Sequence, residues 1–162
     1  MIVEVTGDIL LSEAECIVHG VAPNDHFLNG LAKSLREKFP EMYKSFRHFS
    51  HSNHPKEGTS WIWESEEGQK IVALFTQEHA PGHNSMPGKA TTTYVNKSLK
   101  ELKKFVEKKN IKTLAIPKIS TGVGGLDWKE VQPLIQNHLE DVEELKVFVY
   151  EQYQAGTKAN EE

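Results

Sequence analysis

The sequence predicts an α/β protein, organised as a three-layer α/β/α sandwich with a mixed, mainly parallel six-stranded sheet. Three observations predict this class. Six short apolar runs have the length of strands, and four amphipathic stretches of helical periodicity lie among them. Strands and helices alternate along the chain, which is typical of sheets covered by helices on both faces. The chain of 162 residues has the length of one domain with one substantial core.

The six predicted strands are short runs in which apolar residues, many of them Val or Ile, predominate. They cover residues 2–5, 15–19, 60–64, 70–75, 113–116 and 146–150. The first of these runs follows Met1 directly, so the sequence has no signal-peptide pattern. Together with the absence of an apolar run long enough to span a bilayer, this predicts an intracellular, cytoplasmic protein with no membrane partner.

The predicted helices cover residues 29–39, 41–49, 93–109 and 129–139. The third has the clearest period, because its apolar residues fall on one side and lysines occupy the rest of its circumference. Val95, Leu99 and Leu102 belong to this apolar side. Pro40 separates the first two helices and suits the first turn of the second.

Composition excludes several classes of protein. The formal net charge is −4 and there is no basic block, which argues against a general nucleic-acid-binding surface. Cys16 is the only cysteine, so neither an intrachain disulfide nor a cysteine-based zinc site can form. It lies within an apolar strand, which indicates a buried and inert thiol. We predict a monomer.

Residues 1–153 are predicted to form the single domain, and residues 154–162 to be a disordered C-terminal tail. The tail is polar and lacks large hydrophobic residues. Two long loops, at residues 51–58 and 78–89, are rich in His, Gly, Pro, Ser and Asn. A loop as long as the second is uncommon unless it has a function.

The most informative segment is the loop Ser120-Thr121-Gly122-Val123-Gly124-Gly125-Leu126. It follows the predicted strand at residues 113–116 and precedes a helix. Three glycines within four residues let the backbone turn sharply and present its N–H groups outward, which suits a phosphate or diphosphate. An ordinary strand-to-helix turn is the alternative, because short glycine motifs often match by chance.

A second strand, loop and helix occur near the start of the chain. The strand ends at His19, a polar loop follows, and Gly30 opens a helix. The amides of Asn29, Gly30, Leu31 and Ala32 are then expected to point at a bound anion. Two such loops at the carboxyl ends of strands suggest a crevice for a diphosphate, as open α/β sheets usually provide.

Two further residues could contribute chemistry. Asp8 follows the first strand and could accept hydrogen bonds from a base amino group, although a helix cap or turn former is the alternative. His19 is the candidate catalytic residue, as an acid/base or substrate-orienting group. Its alternative is a structural histidine that is hydrogen-bonded to a loop carbonyl. A set of loop residues could close over the site, but we interpret each of them as a solvated loop residue: Asp25, His26, His79, His83 and Lys89.

No cofactor or metal is predicted. The spacing of His48, His51 and His54 suggests a metal site, with His79 and His83 as further ligands. However, the three span a helix end and a Pro-containing loop, so they need not share a face, and no matching carboxylate pattern accompanies them.

The chain resembles a macrodomain, the ADP-ribose-binding α/β/α module, over about residues 2–150. Three motifs carry the resemblance, in family order and spacing. They are Gly7-Asp8-Ile9 after the first strand, Gly30-Leu31-Ala32 at the first helix, and Ile119-Ser120-Thr121-Gly122-Val123 with Gly125 after a late strand. The variant His19-Gly20-Val21-Ala22 after the second strand is similar to the branch of terminal ADP-ribose glycohydrolases and fungal ADP-ribose-1''-phosphate phosphatases. The segments Leu114–Pro117 and Gly125–Trp128 also resemble the bacterial DNA ADP-ribosyl glycohydrolases.

The resemblance implies a role for each motif. Asp8 would hold the adenine amino group, with the Ile9 amide beside it. Asn29, Gly30, Leu31 and Ala32 would hold one phosphate. The second loop would hold the other phosphate and reach the distal ribose, through Ser120, Thr121, Gly122, Val123 and Gly124.

The chain departs from its glycohydrolase relatives at two positions. Their catalytic Lys, which follows a strand ending in Thr, is replaced by Gln77, and an acidic companion residue is replaced by Gly124. These departures argue against lysine-based glycosidic cleavage. By contrast, Leu74-Phe75-Thr76, the Gly/Ser/His/Lys loop that follows, Tyr94 and the Lys-Leu-rich helix are similar to the phosphatase branch, which this resemblance favours. The sequence therefore predicts a protein that binds ADP-ribose and hydrolyses ADP-ribose 1''-phosphate to ADP-ribose and phosphate. Two alternatives remain open: an ADP-ribosyl hydrolase that acts on ADP-ribosylated protein or nucleic acid, and a non-catalytic ADP-ribose reader.

Overall fold

The computed structural model describes residues 1–82 and 84–162. In the described part, the strands are β1 (Ile2–Gly7), β2 (Cys16–Val21), β3 (Ser60–Glu64), β4 (Lys70–Phe75), β5 (Thr113–Pro117) and β6 (Lys146–Tyr153). The α-helices are α1 (Gly30–Lys38), α2 (Pro40–Asn53), α3 (Thr92–Lys109) and α4 (Trp128–Leu139). A short 3-10 turn, Ile9–Leu11, follows β1.

The strands form one six-stranded sheet in the order β1-β6-β5-β2-β4-β3. β3 is antiparallel to β4, and every other neighbouring pair is parallel. The prediction of a mixed, mainly parallel sheet is confirmed. Because β2 and β5 are parallel neighbours, the loops that follow them leave the sheet at the same edge.

Side chains alternate between the two faces of the sheet, and each face is covered by a pair of helices. In β2, Cys16 and Val18 belong to the apolar cluster beneath α3 and α4, while Ile17 belongs to the cluster beneath α1 and α2. The helices contribute the residues that periodicity selected, such as Leu99 and Leu102 of α3. The predicted three-layer α/β/α sandwich is therefore confirmed.

The segment after β6 differs from the predicted disorder. Residues 154–162 lie against the end of β1, and Ala159 is buried within the cluster beneath α1 and α2. Composition pointed to disorder because the segment has no large apolar residues. Its contacts include hydrogen bonds made by its backbone, such as that from the Gly156 amide to Asp8, and three that the Glu161 carboxylate accepts. Among the described residues, no helix is long and apolar enough to cross a membrane.

Candidate functional site

The loop between β2 and α1 is held by a buried carboxylate. Asp25 accepts hydrogen bonds from the amides of Ala22 at 3.0 Å and Phe27 at 2.8 Å. Burial raises the pKa of the Asp25 carboxyl, and these two amides oppose the rise. The interpretation of Asp25 and His26 as solvated residues is wrong, because both are buried. Asp25 is a structural clamp that sets the path of the chain into α1.

The first turn of α1 presents unused hydrogen-bond donors. Asn29 occupies the cap position, but its side chain makes no capping hydrogen bond. In the described part of the chain, the N–H groups of Gly30, Leu31 and Ala32 have no acceptor. Gly30 has φ of 58°, a left-handed conformation that glycine adopts at no steric cost. The positive end of the α1 dipole is thus open to an anion.

The loop after β5 is closed on itself in a way that leaves its amides free. The carbonyl of Ser120 accepts from the Leu126 amide at 3.0 Å, and the carbonyl of Gly122 accepts from Gly125 at 3.0 Å. Ser120 has a positive φ of 65°, and its hydroxyl donates to Thr76 Oγ1 at 2.7 Å. The N–H groups of residues 121–124 have no acceptor among the described residues. Consecutive free amides of this kind form an anion-binding concavity.

Both sets of free amides line the same cavity, which has a volume of about 240 Å³. Its walls include the predicted site residues His19, Asn29, Gly30, Leu31, Ala32, Ser120, Gly122, Val123 and Gly124. Thr121 is absent from these walls, and its hydroxyl donates to the Lys118 carbonyl at 2.7 Å. Thr121 therefore holds the carbonyl of Lys118, just before the loop, in place. The two predicted phosphate loops thus meet at one cavity.

An adjoining cavity of about 360 Å³ is mainly apolar. Ile9, Leu10, Tyr150 and Tyr153 contribute to its walls. Gly30, Leu31 and Pro117 line both cavities, so the two compartments are contiguous. A ligand with a flat, weakly polar group at one end and phosphates at the other would match this pair of compartments.

Asp8 does not line either compartment, although its neighbour Ile9 lines the apolar one. Its carboxylate is buried, and accepts from the Leu10 amide at 3.0 Å and from the Gly156 amide at 2.9 Å. Asp8 is thus the cap of the 3-10 turn, which was the structural alternative for this residue. Its predicted contact with a base stays a prediction.

His19 lies at the bottom of the 240 Å³ cavity and is only 2% exposed. Neither ring nitrogen has a hydrogen-bond partner among the described residues. The ring packs edge-on against Phe27, with centroids 5.5 Å apart. Burial lowers the pKa of His19 to about 4, so the imidazole is neutral at pH 7. The alternative of a histidine bonded to a loop carbonyl is wrong for the described structure, and an unused imidazole remains in the cavity.

Gln77 also lines the cavity, although it was not among the site residues predicted from the sequence. It lies two residues beyond the end of β4 and is 5% exposed. Its side-chain amide donates to the Gly88 carbonyl at 3.0 Å, which brings the loop of residues 78–89 to the cavity. Asn24 holds the same loop through two hydrogen bonds with Ala80, at 2.7 and 3.0 Å. The length of this loop is the sequence signal that could have pointed to this side of the cavity.

His79, in the loop of residues 78–89, does not line the cavity. His79 pairs with Glu57 at 3.0 Å and has a half-exposed side chain, and His83 lies outside the described residues. Within the described residues, no group of three or more His, Cys, Asp or Glu side chains could hold a metal ion. A larger cavity of about 480 Å³ lies between β1 and α4, but it contains neither of the two loops with free amides.

Sequence comparison relates the chain to proteins of ADP-ribose metabolism. The macro domain family model matches residues 18–135. The chain is 26% identical over 150 residues to a DNA ADP-ribosyl glycohydrolase of Thermus aquaticus, a match that covers 91% of this chain and 40% of the relative. It is 29% identical over 136 residues to an ADP-ribose 1''-phosphate phosphatase of Candida albicans, covering 79% of this chain and 80% of that protein. The chain thus spans about two fifths of the length of the glycohydrolase relative.

Structural comparison gives the same fold. The macrodomain of Thermus aquaticus DarG superposes with a TM-score of 0.82 at 25% identity, covering 93% of this chain and 98% of that one. Thermosipho africanus DarTG, solved in complex with ADP-ribose, superposes with a TM-score of 0.80 at 21% identity, covering 97% of this chain and 42% of that one.

Proposed function

The chain belongs to the macro domain family, and on that premise we propose that it binds ADP-ribose and hydrolyses ADP-ribose 1''-phosphate to ADP-ribose and phosphate. One observation carries the proposal. Free amides from the start of α1 and from residues 122–124 converge on a single cavity that is also lined by His19, whose imidazole has no partner among the described residues. A site that only binds a diphosphate has no need of a buried imidazole, and such a group is costly to keep.

The proposed ligand extends across both compartments. Its base and proximal ribose occupy the apolar compartment of Ile9 and Tyr150, and its diphosphate crosses the shared wall at Gly30. The diphosphate then accepts hydrogen bonds from the α1 amides and from those of residues 122–124. These donors are fixed before the ligand arrives, so little reorganisation accompanies binding.

In the proposed reaction, a water oxygen attacks the phosphorus of the 1''-phosphate. The bond between phosphorus and the 1''-oxygen breaks, and that oxygen ends as the hydroxyl of ADP-ribose. His19 is neutral at pH 7 and takes the proton that the attacking water loses, then returns one to the leaving oxygen. The loop amides stabilise the charge on the phosphoryl oxygens. Each turnover consumes one water and releases one phosphate.

A second candidate function is removal of ADP-ribose from ADP-ribosylated DNA. The name of the Thermus aquaticus relative, a DNA ADP-ribosyl glycohydrolase, favours it. The positions of the family's catalytic Lys and its acidic companion argue against a lysine-based version of that reaction, because they are occupied by Gln77 and Gly124; Lys118, which also lines the cavity, belongs to a different loop. ADP-ribosylated macromolecules are therefore tested as substrates alongside ADP-ribose 1''-phosphate.

The deciding experiment incubates the protein with ADP-ribose 1''-phosphate, an ADP-ribosylated oligonucleotide and an ADP-ribosylated protein. We expect phosphate release from the first and no ADP-ribose release from the other two. His19→Ala should lower phosphate release by roughly 100-fold or more, the usual scale for a lost acid/base, while ADP-ribose affinity changes little. ADP-ribose release from the oligonucleotide would establish the second candidate, and binding without turnover of any substrate would leave a reader.

Gly122→Glu separates ligand binding from folding. A Cβ at residue 122 would have no atom within 4 Å, so the fold should be retained. The new carboxylate would lie in the wall of the diphosphate cavity and repel the ligand. We expect loss of ADP-ribose binding in calorimetry with an unchanged unfolding temperature of the free protein. Unchanged affinity in the folded variant would place the ligand elsewhere.

A further inference from the structure

The side of α3 that faces away from the core carries a line of lysines. Lys97, Lys100, Lys104 and Lys108 follow one another at intervals of three or four residues, and all four are exposed. Residues at these intervals lie above one another on the same side of a helix. The four side chains, here called the lysine row, therefore form one straight array about 16 Å long, at 1.5 Å per residue.

The charge of the lysine row is not neutralised within the protein. In the described part of the chain, none of its four members forms an ion pair. The helix as a whole has six lysines against two glutamates, a surplus of positive charge that the net charge of −4 for the entire chain conceals. Like charges four residues apart destabilise a helix. Folding of α3 therefore does not explain the row.

Two contacts show how the lysine row acts on its surroundings. Burial lowers the pKa of His138 in α4, and the positive charges of Lys103 and Lys100 lower it further. The positive potential of α3 thus reaches the neighbouring helix. At the start of the row, a Cβ added to Gly58 would lie 3.1 Å from Lys97 Cδ. The stem of Lys97 therefore packs against the chain before β3, which reduces the conformational entropy that the side chain loses on binding an anion.

We propose that the lysine row is a docking surface for the phosphate backbone of double-stranded DNA. A duplex carries about one negative charge per 1.7 Å of its axis, so a stretch as long as the row presents more phosphates than there are lysines. Lysine has hydrogen-bond donors and no acceptor, which suits phosphate oxygens. Contacts of this kind position a protein on DNA without reading its sequence.

The composition of α3 favours a DNA duplex over other polyanions. Binding of a single strand uses exposed aromatic rings on which bases stack, whereas the aromatic residues of the helix, Tyr94 and Phe105, are partly buried. Duplex RNA is recognised largely through its 2′-hydroxyls, and the row offers contacts to phosphates only. Of the exposed large hydrophobic residues in the described part of the chain, none lies on α3. An acidic protein would therefore gain only exposed ion pairs, which contribute little.

The docking surface is separate from the cavity of the proposed function. No member of the lysine row lines that cavity or the apolar compartment beside it. The two binding activities can therefore be measured independently, with unmodified DNA for one and ADP-ribose for the other.

The experiment measures the fluorescence anisotropy of a short labelled DNA duplex of mixed sequence, titrated with the full chain at several salt concentrations. We expect a dissociation constant on the order of 10⁻⁵ M at low salt, and a plot of log affinity against log salt with a slope of about −3.6 for four neutralised phosphates. The double variant Lys100→Gln and Lys104→Gln should reduce the steepness of that slope by about 1.8 and weaken binding by at least about tenfold. Glutamine is nearly as good a helix former as lysine, so α3 should remain folded.

Lys44→Gln is the matched control. It removes the same charge from an exposed position of α2, on the other face of the sheet, and should leave both slope and affinity unchanged. ADP-ribose affinity should also be the same in the row variant and in the unmodified chain, which shows that the variant retains its fold.

The remaining outcomes each overturn a statement. Absence of DNA binding, or an equal loss in Lys44→Gln and the row variant, would overturn the docking surface. Tighter binding of single-stranded DNA, of an RNA duplex or of poly-glutamate than of the DNA duplex would overturn the choice of partner. Failure of the unmodified chain to bind ADP-ribose would overturn the proposed function and leave the docking surface standing.

Discussion

Replacement of His19 by leucine tests whether the cavity keeps its imidazole at the expense of stability. His19 is 2% exposed, and both ring nitrogens lack partners among the described residues. A buried polar group without a partner costs about 1–3 kcal/mol, whereas loss of the edge-on contact with Phe27 forfeits about 0.5–1.5 kcal/mol. His19→Leu should therefore raise the free energy of unfolding at pH 7 by about 1 kcal/mol.

Lowering the pH should enlarge the difference in free energy of unfolding between His19→Leu and the unmodified protein. The pKa of His19 is about 4 in the folded protein, against 6.5 for a histidine in water, which is the value expected in the unfolded chain. The unfolded chain thus binds the proton more tightly, and the folded state loses stability as the pH falls from 6.5 towards 4. Between pH 7 and pH 5 this loss is about 2 kcal/mol for His19 alone. Asp25 and the other titrating groups are present in both proteins, so the comparison isolates His19.

Urea denaturation at pH 7 and pH 5, followed by circular dichroism, measures both effects. We expect the advantage of His19→Leu to grow from about 1 kcal/mol at pH 7 to about 3 kcal/mol at pH 5. His51→Leu, a substitution of an exposed histidine, serves as control and should change stability by less than about 0.5 kcal/mol. A destabilised His19→Leu, or equal pH dependence in both proteins, would refute the reasoning and indicate that a water satisfies the imidazole.

Two further predictions concern residues of β2. A Cβ on Gly20 would lie 2.8 Å from Thr76 Oγ1 and 3.2 Å from Ser120 Oγ. Gly20→Ala should therefore displace the loop after β5 and destabilise the protein by about 1–3 kcal/mol. It should also weaken ADP-ribose binding, as measured by calorimetry. Equal affinity in the variant would show that the hydrogen bond between Ser120 and Thr76 does not determine the conformation of the loop. Cys16 is fully buried, and burial raises its pKa to about 12. Iodoacetamide at pH 8 should leave it unmodified in the native protein and alkylate it in urea, as mass spectrometry would show, whereas rapid native labelling would contradict its burial.

Periodicity was sufficient for the elements of the fold because it records which face of a strand or helix is apolar. The positions of α3 and of all six strands follow from it. The junction of the two amide loops was also predictable, since loops after neighbouring parallel strands such as β2 and β5 share an edge. The sequence did not reveal which loop residues are buried. Asp25 lies in a segment with the composition of a surface turn. Only the path of the backbone shows that its carboxylate accepts from the amides of Ala22 and Phe27.

The C-terminal segment, residues 154–162, shows a second limit of sequence reasoning. Composition measures how much apolar surface a segment can bury, and residues 154–162 can bury little. Their order instead depends on hydrogen bonds with residues nearly the whole chain away, such as Gly156 with Asp8 and Glu161 with Ser12. No local pattern encodes contacts of that sequence separation. The position of Asp8 after β1 made it a candidate site residue, but the motif around it does not contain its partners Gly156 and Thr157.

The contiguity of the two compartments has a kinetic consequence under the proposed function. Base, both riboses and the diphosphate are common to substrate and product, so nearly all contacts along the shared wall of Gly30, Leu31 and Pro117 survive the reaction. ADP-ribose would therefore leave slowly and compete with the next substrate molecule, and turnover would be governed by its departure rather than by bond cleavage. Free ADP-ribose in the cell would then inhibit the enzyme as a competing product, without any separate regulatory site.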